Sequence, residues 1–264
     1  MPEKKKFSVV IQSDAYKNLI NNTLGNKEVA RKFVAEVSTV VAQNKALGEC
    51  EPATIISAAL LAQTLNLPIA PTLGYAYVIP YKNKGVAQAQ FQIGWKGLVQ
   101  LAQRSGQYKR LGVRPVHEGE YKGQDEFGDD EFAFSHDYDD KPIVGYFAYL
   151  ELVNGFKKTV YWTKAQCEKH AKQYSQAYRN GYSSKWKDEF DAMACKTVLK
   201  QLLSKWGVMA TEMNTALQAD QSIVSKDLDK FDYVDNEEAE DDAASNISVP
   251  EIPTDEDESE EVVE

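Results

Sequence analysis

The sequence is short of the residues that most often carry chemistry. Its three cysteines, Cys50, Cys167 and Cys195, lie far apart and none forms a CxxC pair. That argues against a disulfide framework and against a zinc site, and it suits a reducing compartment. The three histidines, His117, His136 and His170, fall in unrelated segments. No GxxxxGK(S/T) loop is present, so nothing argues for bound ATP, and neither HExxH nor GxSxG occurs. No apolar run approaches the ~18 residues of a membrane span. Lys4, Lys5 and Lys6 are not followed by the apolar stretch of a secretory signal. A soluble cytoplasmic protein with no cofactor and no enzymatic activity is expected.

What is present is a globular composition, 43% hydrophobic and 11% aromatic over 264 residues, enough for one large domain or two small ones. The net charge of −10 divides unevenly. From Asp227 to the end stand 17 acidic residues and one lysine, which leaves 29 basic and 23 acidic residues in 1–226. A basic body joined to an acidic tail suits a polyanion-binding surface beside a solvated or regulatory segment. From Asp235 the chain is too charged and too poor in large apolar groups to offset its ordering entropy, so a disordered tail is expected there.

The body predicts an α+β fold: N-terminal helices, a small antiparallel hairpin-rich sheet packed on helices, and a long C-terminal helix. Asp14 can cap a short helix through Asn22. Val29, Phe33, Val34, Val37, Val40 and Val41 give Lys27–Ala46 a helical repeat, and Pro52 suits the first turn of a buried helix over 53–66. Tyr75–Tyr81 and Val86–Ile93 read as a hairpin about the tetrad 82–85, which pairs Tyr81 with Val86 and Tyr77 with Gln90. Trp95–Ser105 reads as a helix and Tyr108–His117 as a strand. Ile143–Val153 and Phe156–Trp162 form a second hairpin about Asn154-Gly155, Thr163 caps a helix, and Lys185–Trp206 is the long helix closed by Gly207. A boundary after residue 215 separates the binding and oligomerisation domain, 1–215, from the tail, 216–264.

Two signals compete for function. The acidic run Glu118, Glu120, Asp125, Glu126, Asp129, Asp130 and Glu131 could hold Mg²⁺ in a nuclease, but a solvated loop is the simpler reading. Glu151, on a strand, stands alone. The stronger signal is cations interleaved with aromatics. Eight Lys or Arg against two acids fall between Lys82 and Lys122, and eleven against four between Lys157 and Lys205. Cations neutralise phosphates, and aromatic faces stack on bases whatever their sequence. Ordinary surface lysines over core aromatics would look much the same, and Tyr174, Tyr178 and Tyr182 also suit a packing stripe. In the first hairpin Tyr75, Tyr77, Ile79, Gln88, Gln90 and Gln92 share one face, and Ala76, Val78, Ala87, Ala89 and Phe91 share the other. Lys96, Arg104, Lys109, Arg110, Arg114, Lys196 and Lys200 are the candidate phosphate contacts. Tyr75, Tyr77, Gln88, Gln90 and Trp95 are the candidates on the base or sugar side.

The stretch GYAYVIPYKNKGVAQAQFQIGWKGLVQLAQRSGQYKRL (Gly74–Leu111), with YAYLELVNGFKKTVYWTKAQ (Tyr146–Gln166) and KWKDEFDAMACKTVLKQLLSKWG (Lys185–Gly207), resembles the RecT family of phage and prophage single-strand annealing proteins over roughly residues 10–215. The resemblance implies ATP-independent pairing of complementary single-stranded DNA in recombination, inside a bacterial host cell. It also implies ring or helical homo-oligomers and a partner 5′–3′ exonuclease; whether the acidic tail binds that exonuclease, a host single-strand-binding protein or neither is left open by the sequence. A passive single-strand-coating protein and a metal-dependent nuclease are the alternatives.

Overall fold

The computed structural model describes residues 6–83, 85–126, 128, 130–208 and 210–233. The segment expected to be a disordered tail, 235–264, lies outside the described residues, as does Lys84.

The fold is α+β. After a single turn, α1 (Phe7–Val10), Ser13 precedes α2 (Asp14–Leu24), so Asp14 is the first helical residue rather than the cap. Asn26 caps α3 (Lys27–Gln43) by accepting from the amides of Glu28 and Val29. Ala30, Phe33, Val37, Val40 and Val41 form its buried stripe. The helix stops short of Ala46 because Asn44 turns to extended backbone and caps the next turn, α4 (Lys45–Gly48). Pro52 opens α5 (Pro52–Thr64) as expected; every residue from Thr54 to Ala62 is buried, so α5 runs through the core.

The first sheet takes the order β1 (Ala76–Asn83), β2 (Val86–Ile93), β8 (Ser222–Val224), β9 (Phe231–Tyr233). Strands β1 and β2 pair Tyr81 with Gln88, Ile79 with Gln90 and Tyr77 with Gln92. The expected register is therefore off by two residues, since the turn spans two residues and not four, with Gly85 at φ +87°. An even slip keeps every side chain on its face. Ala76, Val78, Ala89 and Phe91 enter the core as predicted, Ala87 packs against it only partly, and Ile93 joins them. From β2 the chain enters α6 (Trp95–Arg104) and then β3 (Tyr108–His117).

The second sheet is β3-β6-β7, with β6 (Ile143–Leu152) and β7 (Lys157–Thr163) joined at Asn154-Gly155. The acidic stretch between β3 and β6 is not merely a solvated loop. It forms a short hairpin, β4 (Tyr121–Gln124) and β5 (Asp130–Phe132), followed by a 3₁₀ turn at His136–Tyr138.

Thr163 and Gln166 form the capping box of α7 (Lys164–Tyr174). Short turns α8 (Gln176–Arg179) and α9 (Lys185–Asp188) follow, then α10 (Phe190–Trp206). The long helix expected from Lys185 is thus interrupted at Glu189 (φ −136°, ψ 53°). Ser175 separates α7 from α8, so the three tyrosines make no stripe: Tyr178 packs on the core while Tyr174 and Tyr182 are exposed.

Helix α10 ties the molecule together. Leu199 and Leu203 pack into the core of α3, α5 and the first sheet, while Ala194, Val198 and Leu202 pack beneath the second sheet. The boundary expected after residue 215 falls inside α11 (Thr211–Ala219), whose Met213, Ala216, Leu217 and Ala219 are buried. Strand β8 (Ser222–Val224) then joins β2, and β9 (Phe231–Tyr233) joins β8. The folded body therefore continues to Tyr233.

Candidate nucleic-acid interface

The outer face of the second sheet is set by strand alternation. Leu111, Val113, Tyr146, Ala148, Leu150, Val160 and Trp162 point toward α10. Arg110, Gly112 and Arg114 on β3 therefore share the opposite face with Glu151, Tyr149 and Phe147, and with Lys157, Thr159 and Tyr161. Two adjacent cations would normally point to opposite faces. Here a register shift between Tyr108 and Arg110 lets both reach one carboxylate. Lys109 Nζ lies 2.8 Å from Glu151 Oε1 and Arg110 Nε 3.6 Å from Oε2. Lys157 stands directly opposite Glu151 in the ladder. The Lys109 hydrogen bond, with the charges of Lys109, Lys157 and Arg110, holds the Glu151 carboxyl below its ordinary range. One carboxylate does not saturate three cations. The side chains of Lys109 and Arg110 remain 61% and 70% exposed, with donors to spare for phosphate oxygens.

Arg114 emerges on that same face but is committed elsewhere. Its Nη2 donates to Glu120 Oε1 at 3.0 Å, and its guanidinium carbon lies 4.2 Å from the centre of the Phe134 ring. Glu120 has no exposed side-chain surface and also accepts from the His117 amide at 2.7 Å. Arg114 therefore clamps the β4–β5 hairpin, whose Tyr121 and Phe132 pack on Tyr161 and Phe147. The acidic run meanwhile spends Glu120 on this clamp, and Asp130 accepts from Tyr121 and Gln124. Among the described residues no three His, Cys, Asp or Glu stand together as a metal site.

The first hairpin and the start of α6 bring a second group together. A Cβ on Gly94 would lie 2.1 Å from the Gly74 carbonyl oxygen, and one on Gly97 2.2 Å from that of Tyr75. Only glycine lets α6 sit this closely on the 74–75 backbone. That approach sets Lys96 beside Tyr77: a Cβ on Gly74 would meet the Tyr77 hydroxyl at 3.3 Å and Lys96 Cδ at 3.5 Å. Trp95 and Lys96 are exposed, with Lys96 Nζ 6.0 Å from the Trp95 ring centre. Tyr75 packs partly on the core, and Gln88 donates to Glu51 at 3.4 Å. Gln90 is 2% exposed, and its Nε2 has no hydrogen-bond partner. It shares its face with Ile79, opposite on β1, and is not available at the surface as expected.

The lysines on α10 are also not a free edge. Lys196 is buried, with Nζ 3.3 Å from Asp220 Oδ1, and Lys200 Nζ is 2.8 Å from Oδ2. Asp220 Oδ1 accepts from the Ile93 amide as well. Burial pushes Lys196 down, against the pull of Asp220. For Asp220 burial acts upward, yet Lys196 and Lys200 hold it below the usual carboxylate range. Lys196 faces inward because Asp220, brought in by β8, gives its charge a partner. Arg104 is likewise structural: it donates to the Leu65 and Asn66 carbonyls at 2.6 Å each and closes the C-terminal end of α5.

The candidates thus sort into exposed groups (Trp95, Lys96, Lys109, Arg110), the half-buried Tyr75, Tyr77, Gln88 and Arg114, and the inward-facing or committed Arg104, Gln90, Lys196 and Lys200. Lys157 belongs with the exposed set and was not singled out. Its place two residues after the Asn154-Gly155 turn, in register with Glu151, was the available signal.

The chain matches the RecT family over residues 31–241. It belongs to the RecT family. The match runs beyond the resemblance noted above and takes in β8 and β9, the strands that complete the first sheet. The chain is 42% identical over 226 residues to the uncharacterized protein YqaK of Bacillus subtilis (strain 168), covering 85% of this chain and 76% of that protein. It is 29% identical over 217 residues to the protein RecT of Escherichia coli (strain K12), covering 80% and 78%. No helix among the described residues of this RecT-family chain is long and apolar enough to cross a membrane.

Proposed function

We propose that this protein binds single-stranded DNA and anneals it to a complementary strand without ATP, in the service of homologous recombination. Membership of the RecT family supports single-strand annealing. The observation that carries the finer reading is the cationic strip Lys109–Arg110–Lys157, three cations around one carboxylate on an outward sheet face. Backbone phosphates engage this strip and Lys96, while Trp95 and Tyr77 offer ring faces to sugar or base. With the repulsion between two backbones reduced, base pairing supplies specificity and driving force, and the protein reads backbone and shape. Neighbouring subunits of a homo-oligomer extend the strip, so long matches gain by avidity. A 5′–3′ exonuclease that exposes single strands, and a host single-strand-binding protein that covers them, are the partners this activity calls for in the cytoplasm.

The test is a fluorescence-quench annealing assay with complementary oligonucleotides. The reading expects faster pairing without ATP, and affinity falling by about 0.7 log units per log[salt] for each phosphate neutralised. Binding without acceleration identifies a passive coating protein. Mg²⁺-dependent shortening of the strands identifies a nuclease.

A further inference from the structure

At the far end of the β6–β7 hairpin lies an apolar surface that the annealing reading does not use. Val153, Phe156 and Trp206 are 60%, 41% and 44% exposed. The Phe156 and Trp206 rings stand 6.4 Å apart at 31°. The Val153 amide bonds to the Gln107 carbonyl at 3.0 Å, which holds the hairpin tip at the start of β3, and Trp206 closes α10. Two large aromatic side chains packed together in the open, bordered by charge, mark a binding surface more often than singly scattered apolar residues do. The border is positive: Lys158 Nζ lies 5.3 Å from the Trp206 ring centre, Lys157 follows Phe156 directly, and Lys205 precedes Trp206. An occupant should therefore be apolar and acidic.

The chain carries such a segment itself. Residues 234–264 hold fourteen acids and no Lys or Arg, and the longest stretch within them that carries apolar side chains free of an acidic run is the island Ile247-Ser-Val-Pro-Glu-Ile-Pro253. Pro250 and Pro253 bias the island toward extended backbone, the form in which proline-containing segments lie on aromatic-lined surfaces. Thirteen residues separate Tyr233 from Ile247. Extended, they reach about 45–50 Å, against a radius of gyration of about 17 Å for a body of this size. Tethering also supplies an effective concentration of order millimolar, so weak contacts suffice.

We propose that the island 247–253 docks on the Phe156–Trp206 surface of its own subunit. Ile247, Val249 and Ile252 meet the rings, and the flanking carboxylates meet Lys157, Lys158 and Lys205. Docked there, the tail lays its acids along the end of the Lys109–Arg110–Lys157 strip and competes with any other polyanion. The docking itself does not depend on what that strip binds.

The test uses the full chain with Phe156→p-benzoylphenylalanine, which keeps an aromatic ring and cross-links what touches it under light. Isotopically heavy and light protein are mixed, and cross-linked peptides are mapped by mass spectrometry. The proposal expects cross-links to 247–253 within one copy. Ile247→Asp with Ile252→Asp should lower their yield at least about tenfold, the equivalent of removing two buried apolar side chains. The same probe at exposed Tyr182 should capture the tail far less. Heavy-to-light cross-links, cross-links to the folded body of another copy, equal capture at Tyr182, or no tail capture would each overturn it.

Discussion

Asp220→Asn tests how the C-terminal strands are held. The substitution keeps the size of the side chain and an oxygen to accept from Ile93, but removes the carboxylate charge that Lys196 and Lys200 share. Breaking one partner of a buried pair costs about 3–5 kcal/mol, because the other charge stays behind without compensation. Lys196, with 11% of its side chain exposed, cannot reach water readily, whereas Lys200 at 33% can. The cost should therefore fall mostly on Lys196. For a body of this size the loss corresponds to a melting temperature about 6–20 °C lower. The pH dependence carries the sign. In the unsubstituted protein Asp220 is depressed, so its contribution is present above the unfolded value of about 3.9 and is lost as pH falls through the folded value. In the variant the dominant group is a lysine depressed further. Its unfavourable charging is relieved as pH rises from its folded value toward about 10.4, so the gap between the two proteins should narrow at alkaline pH. Urea unfolding followed by circular dichroism, at two protein concentrations to separate assembly from folding, gives both quantities. Lys196→Met with Asp220→Asn should recover much of the loss, since it removes the stranded charge. A deficit under about 1 kcal/mol that does not change with pH would falsify the picture of a dry ion cluster.

Four further outcomes follow from the same geometry. Arg110→Ala and Lys157→Ala should each weaken single-strand binding and reduce the salt slope by about 0.7 while leaving the circular dichroism spectrum unchanged; a lost spectrum would make them packing elements. Arg104→Ala should instead destabilise the fold by about 1.5–3 kcal/mol through its two carbonyl bonds, with little change in the salt slope of the folded protein. His170, packed among Trp162, Tyr174 and Trp186 and pushed down to about 4 by burial and then by the charge of Lys200, should show no NMR titration between pH 5.5 and 8, taking about 6.5 as the ordinary value. Its contribution is complete above about 6.5 and is lost as pH falls toward 4, so a normal titration would refute its burial. A chain lacking 235–264 should bind single strands more tightly near about 20–50 mM salt, the difference shrinking as salt rises; weaker binding at every salt would place the tail in the oligomer or the body.

Several features of this protein follow from sequence alone because they are local. Asn26, Pro52 and the Thr163–Gln166 pair determine where helices begin, since each satisfies or omits an amide within its own first turn. Alternation along the strands determines which residues of the first hairpin meet the core, and it survives the two-residue error in register because the strand period is two. The division into a basic body and an acidic tail is a matter of counting. The family could be read from long motifs in fixed order.

Tertiary structure decided what each cation does. Lys196 and Lys200 read as one helix edge, and nothing within α10 shows that a carboxylate twenty residues later will fold onto them. Arg104 reads as a free surface cation until the end of α5 arrives beneath it. Lys109 and Arg110 should face opposite ways on a regular strand, and a shift in pairing with β6 turns both toward Glu151. In each case local pattern sets the direction of a side chain. Its partner comes from a distant part of the chain, and the partner decides whether the charge is spent inside the fold or left for a ligand.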